Sequence, residues 1–324
     1  MEKTKSTKKA PGKSKEAEIK VFAPASVANV ACGYDILGFA LERPGDEIVV
    51  GFSESSGLRI TEITGDGGKL PYSTTSNTAG FAAGKLMEYL GETERGIDMQ
   101  IHKKMPFGSG LGSSAASAAA AVMAINELLG KPLPKHDLLP FAVLGEQVAD
   151  GAYHADNVAP ALLGGITLIR SNEALDVNNI PVPDRLFAAV VYPHVKILTK
   201  DARNILSKTV TLEHAIQQNG NLGGLIIGLF KADYQLIGRS LQDVIIEPQR
   251  APLIPHFYEV KEAALNSGAL GCSISGAGPS IFALTEGRPA AEKAGAAMQH
   301  IFDQAGIRSE LFVSRINPAG AVKL

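Results

Sequence analysis

Cysteine is scarce in this 324-residue chain: Cys32 and Cys272 are far apart and belong to no CxxC pair or Cys/His cluster. Their isolation argues against zinc and iron–sulfur chemistry, and two free thiols are expected rather than a disulfide. Tryptophan is absent, from which nothing follows. An excess of either charge is also missing. Lys and Arg number 31 against 33 Asp and Glu, a formal net charge of −2, so no broad basic field invites nucleic acid or an anionic membrane. A negatively charged ligand needs a local site. No apolar run reaches the ~18 residues that span a bilayer, and the N-terminus lacks the apolar stretch of a secretory signal. The expectation is a cytoplasmic protein with neither nucleic acid nor membrane as partner.

What is present is ordinary for a globular chain, 45% hydrophobic and 20% charged, and long enough for two lobes. Residues 1–18 hold six lysines, three glutamates and almost no apolar side chain, which predicts a disordered tail. Alternation from Ile19 predicts a strand that ends at Pro24. Further strands are expected over 46–53, 58–64 and 97–103. A helix over 78–90 is capped by Ser76 or Asn77 and stopped by Gly91. Alanine-rich 113–129 and the stretch 135–149 predict two more helices. Strands at 165–170 and 187–192 flank a polar linker, 171–185, which is the expected lobe boundary: an N-terminal lobe over 19–178 and a C-terminal lobe over 179–324. The second half alternates helices near 212–230, 256–267 and 289–305 with strands at 271–275, 280–284 and 310–314.

The strongest chemical signal is the run Pro106, Phe107, Gly108, Ser109, Gly110, Leu111, Gly112, Ser113, Ser114, Ala115, Ala116, Ser117. Three alternate glycines expose backbone N–H groups without a Cβ in the way, and the helix opening near Ser113 aims its positive end at the same point. A polyphosphate suits such a loop, and a serine at the helix start can ligate magnesium. A tight turn with serine caps is the structural alternative. Other phosphate loops fail by position: Gly12-Lys13-Ser14 has Thr7 where a Walker loop needs glycine, and a dinucleotide fingerprint needs glycine at Ser113. No Asp-Phe-Gly, Ala-Pro-Glu or Gly-x-Ser-x-Gly occurs.

A second cluster, residues 23–35, places Asn29 and Asp35 in a glycine-containing loop after a strand; ligand contact and plain turn chemistry both select such residues. A third, residues 144–157, carries Glu146 in an apolar helix, then His154 and Asn157 in a loop. Glu146 with a loop serine meets magnesium's need for oxygen ligands; a solvated helix face is the alternative. Weaker signals are Thr199 with Arg203, Arg250, and the glycine–proline segment 275–280. Two converging arginines clamp a carboxylate, although each alone reads as a surface residue.

In order, these three segments resemble the motifs of the galactokinase–homoserine kinase–mevalonate kinase–phosphomevalonate kinase (GHMP) superfamily, from about Val21 to Ser314. Ala28-Asn29 with Gly33-Tyr34-Asp35, the stretch 154–160 and Thr199 four residues before Arg203 resemble its homoserine-phosphorylating branch. Ala31 and Tyr34 stand where glycine and phenylalanine are usual, and neither change removes a polar group. The resemblance implies a two-lobed α+β fold with the active site between the lobes, ATP and Mg²⁺ as cofactors, and L-homoserine as acceptor in a step toward threonine. It implies that 106–116 holds the triphosphate, that Asn77 lies near the adenine, and that Ser114 and Glu146 coordinate magnesium. Asn29, Asp35, His154, Asn157, Thr199, Arg203 and Arg250 would surround homoserine, with Asp35, Asn157, Glu146 and Ser114 as the catalytic set. The alternatives are another kinase of the superfamily with a different small alcohol, and a catalytically silent nucleotide-binding regulator. Oligomeric state is left open, a homodimer being one expectation.

Overall fold

Residues 18–324, apart from 152 and 198, are described by a computed structural model; the expected tail, but for Glu18, lies outside the described residues. β1 (Ile19–Ala28) buries Val21, Ala23 and Ala25. It does not end at Pro24. A shift of register between Pro24 and Ser26 absorbs the missing N–H, and the strand continues to Ala28. β2 (Leu37–Phe52) likewise starts before the expected 46, because its apolar first residues pair with the end of β1 and with β5 (Ile166–Ser171). β3 (Leu58–Thr64) and β4 (Ile97–His102) are parallel neighbours, as a strand–helix–strand crossover requires.

The crossover helix, α1 (Thr78–Leu90), has the expected ends. Asn77 Oδ1 accepts the N–H groups of Ala79 and Gly80 at 3.0 and 3.3 Å, and Gly91 turns left-handed at φ 73°. α2 (Ser113–Leu128) is buried almost all round, and its alanines let it lie close against β1, β2, α1 and α3 (Leu139–Asp150). The helix expected over 135–149 is split. Residues 135–138 form a 3₁₀ turn and α3 restarts beyond it with Pro140 in its first turn, where no N–H is needed.

α4 (Val158–Leu163) leads into β5. The expected linker contains a strand, β6 (Asp176–Ile180), which escapes a hydrophobic-pattern reading because it is an edge strand with Asn178 and Asn179 exposed. β7 (Leu186–Pro193) then opens a second, four-stranded antiparallel sheet. The chain continues through α5 (Thr199–Asn204), α6 (Leu212–Lys231), α7 (Tyr234–Ser240), α8 (Glu247–Arg250) and α9 (Phe257–Asn266). β8 (Gly271–Ile274), β9 (Ile281–Glu286), α10 (Arg288–Gln304) and β10 (Ser309–Arg315) complete that layer, in strand order β10-β7-β9-β8. β11 (Val322–Lys323) returns to pair with β1 in the first sheet. Phe39 of β2 meets Phe282 of β9 edge to face at 5.8 Å, so one core joins the two sheets. Among the described residues no helix is long and apolar enough to cross a membrane.

Candidate functional site

Gly108, Gly110 and Gly112 all have positive φ (64°, 76° and 65°), the conformation the alternating glycines predict. Two of them are also needed for space. A Cβ on Gly110 would lie 2.6 Å from the carbonyl oxygen of Ser275, and one on Gly112 would lie 2.3 Å from Ser26 Oγ. At Gly108 a Cβ would meet nothing within 4 Å, so open space borders the loop there. Gly112 occupies the N-cap of α2 without a side-chain cap, leaving first-turn N–H groups for an anionic guest.

Beneath the loop lies a charge pair that sequence reading missed. Lys103, the residue after β4, and Asp46, within β2, are 3% and 0% exposed in their side chains. The ammonium bonds Asp46 and donates to the Ser113 carbonyl at 2.8 Å and to Ser117 Oγ at 2.6 Å. Asp46 also accepts the N–H groups of Lys104 and Met105 at 2.8 and 3.2 Å, and the hydroxyls of Ser113 and Ser117 at 2.9 and 3.2 Å. Burial pulls the Lys103 pKa down while Asp46 opposes the change. The pair fastens β2 and β4 to the first turn of α2.

The loop opens onto a cavity of about 670 Å³. Gly108 to Ser114, Phe107, Asn77, Glu146, Asn29, Asp35, His154, Asn157, Arg203 and Arg250 all line it. Pro106 is not on its wall, and Ala115 and Ala116 are buried in the core. Thr199 opens α5, but its side chain lies outside what is described. Ser114 Oγ donates to Glu146 Oε1 at 2.8 Å, joining α2 to α3. A hydroxyl and a buried carboxylate beside a phosphate-type loop form the oxygen-only donor set magnesium prefers. Asn77 Nδ2 donates to the Pro71 carbonyl at 2.9 Å, so much of its carboxamide is occupied with capping α1.

The other end of the cavity is built on strained backbone. Asn29, Val30, Ala31 and Asp35 all have positive φ, which is costly for a β-branched valine. Hydrogen bonds hold the turn: Asn29 Oδ1 accepts the Asp35 N–H at 3.1 Å, Asn29 Nδ2 donates to the Gly276 carbonyl at 2.9 Å, and Asn172 Nδ2 donates to the Asp35 carbonyl at 3.1 Å. Asp35 Oδ2 is 3.4 Å from Arg203 Nη1. Burial first, and Asp156 second, push the Asp35 carboxyl above its ordinary range, against Arg203, His154 and Arg250. Asp156, which sequence reading did not single out, is 2% exposed and lies 2.6 Å from His154 Nδ1. Gly38 in β2 brings it there, since a Cβ at that position would lie 1.8 Å from the Asp156 carbonyl oxygen. Ser26 Oγ donates to Asn157 Oδ1 at 2.9 Å and ties β1 to the start of α4. Arg250 is buried, with Nε donating to the Ala202 carbonyl, Nη1 to the Gly276 carbonyl, both at 3.0 Å, and its guanidinium 5.0 Å from the Tyr34 ring centre. Two arginines and a histidine thus face two carboxylates, an arrangement suited to a small ligand carrying both charges.

Known proteins share this chain's sequence and fold. The pattern of the GHMP kinases N terminal domain matches residues 77–165, and that of the GHMP kinases C terminal domain matches 225–304. A homoserine kinase of Chlorobium phaeobacteroides is 50% identical over 312 residues, 93% of this chain and 97% of that one. Another, from Chlorobaculum tepidum, is 50% identical over 93% of this chain and 96% of its own length. The crystal structure of homoserine kinase from Cytophaga hutchinsonii superposes with a TM-score of 0.94 at 53% identity, covering 98% of this chain and all of that one (100%). L. major mevalonate kinase shares the fold, with a TM-score of 0.70 at 16% identity over 93% of this chain and 97% of its own. The chain belongs to the homoserine kinases, within the GHMP kinase family.

Proposed function

We propose that the chain transfers the γ-phosphoryl group of ATP to the hydroxyl of L-homoserine, giving ADP and O-phospho-L-homoserine in a step toward threonine. The observation that carries this reading is the shared cavity. Its one end is the glycine loop with Ser114 and Glu146; its other holds Arg203 and Arg250 opposite Asp35 and Asp156. We read the seven-stranded sheet with α1 to α4 as the ATP-binding lobe, which moves the expected boundary from 178 to the end of β6 at Ile180 and adds β11, and the four-stranded sheet with its helices as the second lobe, with the reaction between them.

Phosphoryl transfer needs alignment and charge compensation more than covalent help. The loop amides and the positive end of α2 receive the phosphate oxygens. Magnesium, held by Ser114 and Glu146, would neutralise phosphate charge when bound. Arg203 and Arg250 receive the amino acid's carboxylate, and Asp156 beside His154 supplies negative charge for its ammonium. Asp35 orients the hydroxyl. An ordinary carboxylate at pKa ~3.9 is about 12 units below an alcohol near ~15.7, a gap of roughly 16 kcal/mol, so it does not remove the proton before transfer. The proton leaves late, once the new phosphorus–oxygen bond has acidified it.

A coupled ADP-release assay across homoserine, threonine, mevalonate, shikimate and simple sugars tests the reading. Homoserine is expected to give the highest kcat/KM. ADP release that depends on another of these alcohols instead, or on none, refutes it.

A further inference from the structure

Four residues of α6 are buried, and beside Leu225, Gly228 and Leu229 the fourth is a glutamine, Gln218. A carboxamide taken out of water needs partners for its polar atoms; a leucine would fill the place without them. Nε2 of Gln218 donates to the Cys32 carbonyl at 3.3 Å and to Asp243 Oδ1 at 2.9 Å, and Oε1 accepts the Val244 N–H at 3.0 Å. One side chain thus joins two segments of the fold.

The first is the acceptor loop. Cys32 lies between Asn29 and Asp35, in the turn where Asn29, Val30 and Ala31 have positive φ. Backbone in that region persists only where its surroundings fix it, and the bond from Gln218 is one such fixing point. The second segment is 243–250. Oδ1 of buried Asp243 accepts the N–H groups of Ile245 and Ile246, and Oδ2 that of Glu247, each at 2.9 Å. These bonds seat α8, whose last residue is Arg250. From the other side, Glu247 accepts from Ser273 Oγ at 2.6 Å and from Lys261.

A homoserine molecule has its carboxylate and its hydroxyl at opposite ends of a short chain. With Arg250 receiving one and Asp35 orienting the other, the place of α8 relative to the acceptor loop decides which length fits. The bond of Arg250 to the Gly276 carbonyl acts at the guanidinium, whereas Gln218 acts on the main chain of both segments. Neither Gln218 nor Asp243 lines the cavity. We propose that Gln218, working through Asp243, is a positioning residue that sets the span between Arg250 and Asp35, and with it the length of acceptor the enzyme prefers. This rests on the reading of that end of the cavity as the acceptor's.

Steady-state ADP release by Gln218→Met, which fills similar space without hydrogen-bonding atoms, tests the assignment. The acceptor's KM should rise and its kcat/KM fall ~10- to 100-fold, as a small misplacement remote from the chemistry does, with the KM for ATP within about twofold of the parent. The acceptor used is whichever alcohol of the assay panel the parent prefers. A wrong acceptor therefore shows in the parent, and a wrong role for Gln218 only in the variants. If that acceptor is homoserine, the parent's preference over L-serine and 5-hydroxy-L-norvaline, one methylene shorter and longer, should narrow several-fold from the ~10- to 200-fold that a methylene commands. Gln218→Glu guards against misfolding, because it keeps the size and the acceptor for the Val244 N–H. Beside Asp243 its carboxyl holds a proton, which can be donated to Asp243 but not to Cys32 as well. Its acceptor KM should lie between those of the parent and Gln218→Met. Equal rises in both KM values, a lowered urea midpoint with both KM values and the length preference unmoved, or parent kinetics in Gln218→Glu would make Gln218 a packing residue and overturn the proposal.

Discussion

Removing the Lys103 ammonium is the sharpest test of how the phosphate loop is supported. In Lys103→Met, Asp46 stays fully buried but keeps two backbone N–H and two hydroxyl donors. In Asp46→Leu, the ammonium keeps only the Ser113 carbonyl and Ser117 Oγ, and the N–H groups of Lys104 and Met105 lose their acceptor. Leaving a buried charge without its partner costs about 3–5 kcal/mol. The five donors facing Asp46 put Lys103→Met at the lower end of that range and Asp46→Leu at the upper. Because each single change strands the other residue, the double variant should cost about 2–3 kcal/mol less than the sum of the two. Urea denaturation of the four proteins measures this directly, against a total stability of order 5–15 kcal/mol. Lys103 holds the first turn of α2, so Lys103→Met should also raise the KM for ATP more than that for homoserine. Additive costs, or a Lys103→Met variant with unchanged midpoint and ATP KM, would refute the account.

Glu146→Gln should raise the magnesium requirement and lower turnover by ~10²-fold or more; unchanged magnesium titrations in a folded variant would remove Glu146 from the metal site. Arg203→Leu should lower kcat/KM for homoserine by roughly 10- to 100-fold through a lost charge-assisted contact, with ATP affinity measured by calorimetry nearly constant. Asp35→Asn keeps an acceptor for the hydroxyl and should retain more turnover than Asp35→Ala, whereas an early general base requires both to fall alike, by about 10²–10⁴. Asp156 is one of the causes that raise the Asp35 pKa, so Asp156→Asn should move the acidic limb of the kcat/KM profile to lower pH; an unmoved or upward-shifted limb contradicts that coupling.

Legibility in the sequence followed the range of the interactions involved. α1 could be read to the residue because Asn77 and Gly91 cap it locally, and the glycine loop because three positive-φ positions leave a mark of their own. β6 was hidden because an edge strand buries little and carries asparagines. Asp46 and Lys103 look like ordinary strand charges, and only the fold brings together residues 57 positions apart. Asp156 sits between two recognised residues but is unmarked until Gly38 is seen packed against it. Arg250 read as a surface residue when taken alone. Its burial depends on a carbonyl of residue 276, and a backbone acceptor has no signature among side chains.

That carbonyl has a wider consequence. Gly276 accepts from both Asn29 and Arg250, its N–H donates to the Ala28 carbonyl at 3.2 Å, and the neighbouring Ser275 hydroxyl and Ser280 N–H reach the carbonyls of Gly110 and Ser109 at 2.7 and 3.2 Å. One short connection between β8 and β9 therefore sets the distance between the phosphate loop and the acceptor loop, with main-chain carbonyls as every acceptor. Side chains around the acceptor that do not bond this connection, such as Arg203 and His154, can be exchanged for others without disturbing that spacing. The scaffold works as a fixed jig in which the choice of alcohol and the alignment for transfer are separate variables, so acceptor preference can drift while the trajectory of the phosphoryl group stays constant.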